Sequence, residues 1–155
     1  MSRTKIIYRF MHFEHLLDLL HNHRLPLTNP SKWEDKNDAF AANLGCKDNE
    51  VVGICCFTTS KSNSIYRWSK MAPNNLCVRV EFDMKKLENC LSNKELFRSV
   101  KYKSIDDLNN DGIASLDECT YIKSRAYAVE KEIRRVTVFS FADFSSEKYC
   151  FFMGI

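Results

Sequence analysis

The chain has 155 residues, 45% hydrophobic and 28% charged, a balance that suits one ordinary folded domain with a real core and excludes a disordered or fibrous polymer. A formal charge of +3 and a pI near 8.4 permit a phosphate-bearing partner without requiring one. No apolar run is long enough to cross a bilayer and MSRTKIIYRF lacks a signal-peptide core, so a cytoplasmic protein with no membrane partner is expected. The cysteines number seven, with no Cys-x-x-Cys and only Cys55 and Cys56 close together, so most are expected to be reduced and buried.

Lys5 to Phe10, KIIYRF, reads as a first strand, with Tyr8 and Phe10 on one face and Ile7 and Arg9 on the other. From His12 to His23 the spacing turns helical, and Leu16, Leu17, Leu19 and Leu20 form an apolar stripe. The pairs His12/His15 and His21/His23 lack a cysteine or carboxylate at a ligand spacing, and histidine at a helix C-terminus is favoured by the dipole, so no metal is expected. RLPLTNP is a short extended piece closed by a turn. The polar loop SKWEDKNDAF follows, with Trp33 packing it onto the domain.

Val51 to Phe57, VVGICCF, has the content of a buried central strand and opens into the hydroxyl run Thr58, Thr59, Ser60. Such a run after a buried strand is a place to build a site; the plain alternative is a loop followed by an N-capped helix through Ile65, Trp68 and Met71, with Trp68 a core anchor. Leu76 to Asp83 alternates cleanly as a strand. A helix over Met84 to Leu91 follows, then a strand over Leu96 to Tyr102 and a polar loop.

Within that loop, DLNNDGIASLDE satisfies the calcium-loop template with Asp107, Asn109, Asp111, Gly112 and Glu118. Ala114 stands where a branched apolar residue is usual, and the preceding segment reads as strand, so ordinary turn chemistry is the expectation and calcium the alternative.

Tyr127 to Phe139, YAVEKEIRRVTVF, reads as a strand on its β-branched Ile133, Val136 and Val138. Glu130 and Glu132 are then side by side on one face with Arg134 beyond them, and Lys131, Ile133 and Arg135 lie on the other. A carboxylate pair so placed can hold a ribose hydroxyl or a developing cation; the bland alternative is a solvated, charge-laced face. Tyr149 to Met153 is apolar enough for a final strand. The order of elements gives an α+β domain over residues 1–155, with a mixed, mostly antiparallel sheet and flanking helices.

In sequence the chain resembles the bacterial domain-of-unknown-function family 2971 over nearly its whole length. Tyr8 and Arg9 match the opening strand of that family, and Asn29, Pro30, Trp33, Asp35 and Asp38 its acidic loop. Cys56-Phe57-Thr58 matches a strand end, Trp68 and Ser69 the tryptophan helix, and Val80 to Asp83 the next strand. Lys123, Glu130, Glu132 and Arg134 match the closing signature. Lys36, Met71 and Tyr127 depart from it, standing where proline, tyrosine and tryptophan are usual.

The layout is also similar to that of ADP-ribosyltransferases of the arginine-serine-glutamate type. That resemblance implies an ADP-ribosyltransferase-like fold and NAD as substrate, with Tyr8, Arg9, Thr58, Thr59 and Ser60 binding NAD and Glu130 and Glu132 catalytic. Arginine grips a pyrophosphate bidentately, and the last glutamate stabilises an oxocarbenium ion as nicotinamide leaves. The hydroxyl run arrives earlier than in that layout. The implied activity is transfer of ADP-ribose to a protein or nucleic acid, or hydrolysis of NAD, in a toxin or phage-defence role with a possible macromolecular partner complex. The alternative is a non-catalytic binding or inhibitor module on the same fold, in which Arg9, Glu130 and Glu132 form a structural ion-pair cluster.

Overall fold

The computed structural model describes residues 5–62, 76–90, 97–113, 115–140 and 150–152. In chain order these form β1 (Ile6–His12), α1 (Phe13–Asn22), β2 (Arg24–Pro26), a 3-10 turn (Pro30–Lys32), α2 (Lys36–Asn43), β3 (Glu50–Thr58) and β4 (Cys77–Asp83). There follow α3 (Met84–Cys90), β5 (Arg98–Ser99), β6 (Lys101–Lys103), α4 (Ile105–Asp111), α5 (Leu116–Cys119), β7 (Ile122–Ser124), a 3-10 helix (Arg125–Glu130), β8 (Glu132–Ser140) and β9 (Cys150–Phe152). The architecture is α+β; β1 with β3, β1 with β4, β2 with β9 and β5 with β8 pair antiparallel, and β6 with β7 pairs in parallel. The expected helix around Trp68 lies outside the described residues. Two compact units are present: Met1–Pro26 with Phe57–Lys94 and Cys150–Ile155, and Leu27–Cys56 with Glu95–Tyr149.

The first unit is built on β1. Its apolar run buries Ile7, Tyr8, Phe10 and Met11, and the strand pairs with β4 from Ile6↔Asp83 to His12↔Cys77 and with the end of β3 at Tyr8↔Thr58. Phe57 and Phe82 meet edge to face with centroids 5.6 Å apart, the arrangement that ring quadrupoles favour. α1 departs from the expected apolar stripe: Leu19 is buried, whereas Leu17 is 52% and Leu20 66% exposed. Four leucines in five residues span more of the helix circumference than one packed face covers.

In the second unit β8 lies between β3 and β5, with Arg98 opposite Arg134 and Ser99 opposite Ile133. Ala42, Val52 and Ile54 form its core, with Trp33, Cys46, Cys56 and Val136 packed around them. Gly53 marks a close approach: a Cβ there would stand 3.0 Å from Leu27 Cδ1 and 3.1 Å from Phe139 Cε2. The polar stretch after Trp33 is a helix rather than a loop. Asp35 caps α2 by accepting from the amides of Asn37 and Asp38, both at 3.1 Å, which outweighs the weak helix propensity of KNDAFAAN.

The strand expected over Leu96 to Tyr102 is two short strands, β5 and β6, the second pairing in parallel with β7. The polar loop after it is likewise corrected, because α4 and α5 occupy it. Ser104 and Asp107 make a capping box, with the Ser104 amide donating to Asp107 Oδ2 at 2.6 Å and the Asp107 amide to Ser104 Oγ at 3.1 Å. Asp107 also meets Arg125 at 2.6 Å, Asp111 meets Lys103 at 3.1 Å, and Glu118 meets Lys101 at 3.7 Å. The carboxylates of the calcium template are thus distributed over two helices with separate cationic partners, and Asn109 lies on the exposed side of α4.

The cap gives a direct check. Ser104→Ala removes the acceptor for the Asp107 amide and should lower stability in urea unfolding by about 1 kcal/mol, the usual worth of an N-cap hydroxyl.

Candidate functional site

β8 opens on Glu132, and Glu132 and Arg134, two residues apart, share a strand face as their spacing predicts. Glu130 is not on that strand. It ends the 3-10 helix, and Lys131 follows with φ +45°, a left-handed residue that turns the chain into β8. The expected continuous strand from Tyr127 is therefore corrected: a backbone reversal separates the two glutamates, and a shared cation reunites their side chains.

That cation is Lys123, from β7. Its Nζ lies 2.7 Å from Glu130 Oε2, 3.4 Å from Glu132 Oε2 and 3.3 Å from Asp38 Oδ2, and 4.9 Å from the centre of the Tyr127 ring. Arg134 completes the centre. Its Nε donates to Glu132 Oε1 at 2.8 Å, and Nη2 donates to Glu132 Oε2 at 3.2 Å and Asp38 Oδ2 at 2.6 Å. Nη1 donates to the Thr120 carbonyl at 2.8 Å, and the guanidinium stacks over Trp33 at 4.9 Å. The Glu132 amide donates to the Tyr102 hydroxyl at 2.8 Å, which fixes the start of β8.

The charged face considered as solvated is buried: Arg134 is 0% and Glu132 8% exposed. Burial of isolated ions would cost several kcal/mol each, so the pairing is obligatory rather than decorative. Burial acts to raise the Glu132 pKa, but the Arg134 charge and hydrogen bonds, with Lys123, hold it below the usual range. For Lys123, burial acts to lower the pKa, and Glu132, Glu130 and Asp38 more than reverse this, so the ammonium persists above the ordinary lysine range. Arg134 is raised in the same way, against its own burial, chiefly by Glu132.

Around this centre lie further groups. Burial, then the Glu132 charge, pushes the Cys56 thiol well above its ordinary pKa, so it stays protonated and donates to Glu132. Asp35 is held low despite burial by the α2 amides and the Tyr127 hydroxyl. Asp38 Oδ1 is buried with no hydrogen-bond partner. Among the described residues, the three carboxylates of Asp38, Glu130 and Glu132 face the two cations of Lys123 and Arg134, a formal excess of one negative charge. This arrangement can hold a hydrogen-bond donor or a transient positive charge.

The other expected site residues belong to the first unit. Arg9 is buried, with Nη2 donating to the Pro26 carbonyl at 2.7 Å and its guanidinium 5.7 Å from the Phe57 ring centre. Tyr8 is buried beneath the Arg79 guanidinium at 5.1 Å. Thr58 ends β3, and its Oγ1 accepts from the Ser60 amide at 3.0 Å, so Thr58, Thr59 and Ser60 leave the strand through a hydroxyl-closed turn. Asp38 and Lys123 were matched to motifs in sequence but assigned no role; the signal that would have picked them out is a buried arginine in need of acceptors. Among the described residues, no group of three or more histidine, cysteine or acidic side chains is placed to hold a metal ion, and no helix is long and apolar enough to cross a membrane.

Glu132→Gln removes the charge that Arg134 and Lys123 both engage and should cost about 3–5 kcal/mol in urea unfolding. A depressed folded-state pKa contributes stability above the unfolded glutamate value near 4.3 and loses it as pH falls through the folded value. The wild type should therefore lose stability on acidification below about pH 5, and Glu132→Gln should show a shallower loss.

No family model matches this chain, and neither a curated protein nor a solved structure matches it.

Proposed function

We propose that the chain is an NAD-consuming enzyme of the ADP-ribosyltransferase-like class, related to the domain-of-unknown-function family 2971, and that the acidic centre of its second unit carries the chemistry. The observation behind this reading is the convergence of Glu130 and Glu132 on one ammonium, at 2.7 and 3.4 Å from Lys123 Nζ. Against its burial, the Glu132 carboxyl is held below its usual range by Arg134 and Lys123, and among the described residues the carboxylates of the centre outnumber its cations by one, which suits a developing ribosyl cation.

In the proposed reaction the bond between the ribose C1′ and the nicotinamide nitrogen breaks, and its electron pair leaves with neutral nicotinamide. The carboxylates stabilise the oxocarbenium ion left behind. A nucleophile on a protein or nucleic acid, or water, adds to C1′ and releases a proton. Aromatic Tyr127 and Trp33 brace the two cations and keep the carboxylates from rearranging as charge develops. A cytoplasmic setting and a toxin or phage-defence role would suit an NAD consumer of this class.

One observation favours a second reading, a non-catalytic binding or inhibitor module. Both Glu132 oxygens already accept from Arg134, and Oε2 also meets Lys123, as in a structural ion-pair network. Incubation with NAD labelled in the nicotinamide or the adenosine moiety, with and without cell lysate, separates the two. The enzyme reading expects released nicotinamide, labelled macromolecules or free ADP-ribose, and a loss of about 100-fold or more in kcat for Glu130→Gln combined with Glu132→Gln. No release from the wild type with any lysate transfers the assignment to the binding module.

A further inference from the structure

We propose that the outer edge of β4 is an interface for a second copy of this chain, the two β4 strands pairing antiparallel about a two-fold axis at Val80. The strand lies at one end of its sheet, with β1 on its inner side, and among the described residues no strand pairs with its outer side. The direction of its backbone groups follows from the ladder. The Met84 amide donates to the Lys5 carbonyl at 3.0 Å and the Phe13 amide to the Leu76 carbonyl at 2.9 Å, two rungs of the register that sets Ile7 opposite Phe82 and Arg9 opposite Val80. An antiparallel ladder bonds alternate residues, so Val78, Val80 and Phe82 turn their amides and carbonyls toward β1, and Cys77, Arg79 and Glu81 turn theirs outward. An outward row of this kind is a template for strand addition.

The side chains name the partner. Charged edges usually discourage pairing, because a charge set opposite its own kind costs free energy. Here the charges complement themselves. With the axis at Val80, Arg79 stands opposite Glu81 of the second copy and Glu81 opposite its Arg79, an isologous contact with both charges matched. The other face sets Val80 against Val80 and Val78 against Phe82, so apolar meets apolar. Moving the axis to Arg79 or Glu81 still pairs outward groups with outward groups, but it sets like charges opposite and shortens the overlap. The opposed charges are already in place: Arg79 Nη2 lies 3.6 Å from Glu81 Oε1, Nη1 donates to the Lys61 carbonyl at 2.9 Å, and the guanidinium rests over the Tyr8 ring at 5.1 Å. The Glu81 side chain is 59% exposed, so it meets a second copy without leaving a buried position. β4 belongs to the first unit, so this contact is independent of the acidic centre and of the NAD reading.

Sedimentation of the intact chain over a concentration series, at low and high salt, tests this. The wild type should pass from monomer to dimer, and less readily at high salt, because the matched charges lie at the surface. Arg79→Glu and Glu81→Arg each set like charges opposite at both positions and should weaken the dimer at least about tenfold. The first variant carries two acidic side chains on this edge and the second two basic ones, so an equimolar mixture should form a heterodimer that neither forms alone. Amide exchange needs no substitution: the Glu81 amide should exchange at least about tenfold faster in dilute than in concentrated wild type, whereas the Val80 amide, bonded to β1, should stay slow throughout. A wild type that remains monomeric across the series overturns the interface. So does a dimer that both variants leave unchanged, or a mixture of folded variants that fails to pair. Where a variant does not fold, the exchange decides, and a Glu81 amide indifferent to concentration rules out β4 as the contact.

Discussion

A guanidinium taken wholly out of water has to find acceptors on every side that carries an N–H, and Arg134 is such a group. Its surroundings come from separate parts of the second unit: Glu132 from its own strand, Asp38 from α2, the Thr120 carbonyl from the end of α5, and the ring of Trp33. Each of these elements is held where it is partly because Arg134 needs it there. Asp35 sets where α2 begins and so where Asp38 points, and Thr120 Oγ1 donates back to the Ala42 carbonyl at the other end of α2. Charge-assisted bonds of about 1.5–3 kcal/mol each, set against a desolvation cost of several, leave a modest net stability but a strong preference for one arrangement.

Much of the strand framework was legible. The alternation of Leu76 to Asp83 and the apolar run of VVGICCF became strands with bounds shifted by a residue or so, whereas the strand expected over Tyr127 to Phe139 begins only at Glu132 and runs to Ser140. The relation of Glu132 to Arg134 was legible for the same reason, since a period of two is fixed by the backbone. What failed was set by groups far away or by unfavourable local composition. α2 and α4 are rich in Asn, Asp and Lys, which read as loop, and their caps decide the matter. Lys131 gives no compositional hint of a positive φ, a conformation for which Gly or Asn is usual, so the break between Glu130 and Glu132 was invisible. Asp38 had no local pattern pointing to Arg134, and the exposure of Leu17 and Leu20 could not be told from a stripe counted on composition alone.

The charge count of the centre shapes its chemistry. Among the described residues the carboxylates exceed the cations by one, so a free phosphate would meet like charge at Asp38, Glu130 and Glu132. The protonated Cys56 fits the same logic: beside a carboxylate it is a donor rather than a nucleophile. Polar contacts that look redundant when counted singly thus act together on Glu132, whose carboxyl they hold below its usual range despite its burial.

The link between Asp38 and Arg134 spans 96 positions of the chain. Closing a loop of that length costs conformational entropy that the contacts at its ends must offset. Arg134 and its partners thus tie distant stretches of the second unit together, and the carboxylates stay gathered around Lys123 for as long as that tie holds.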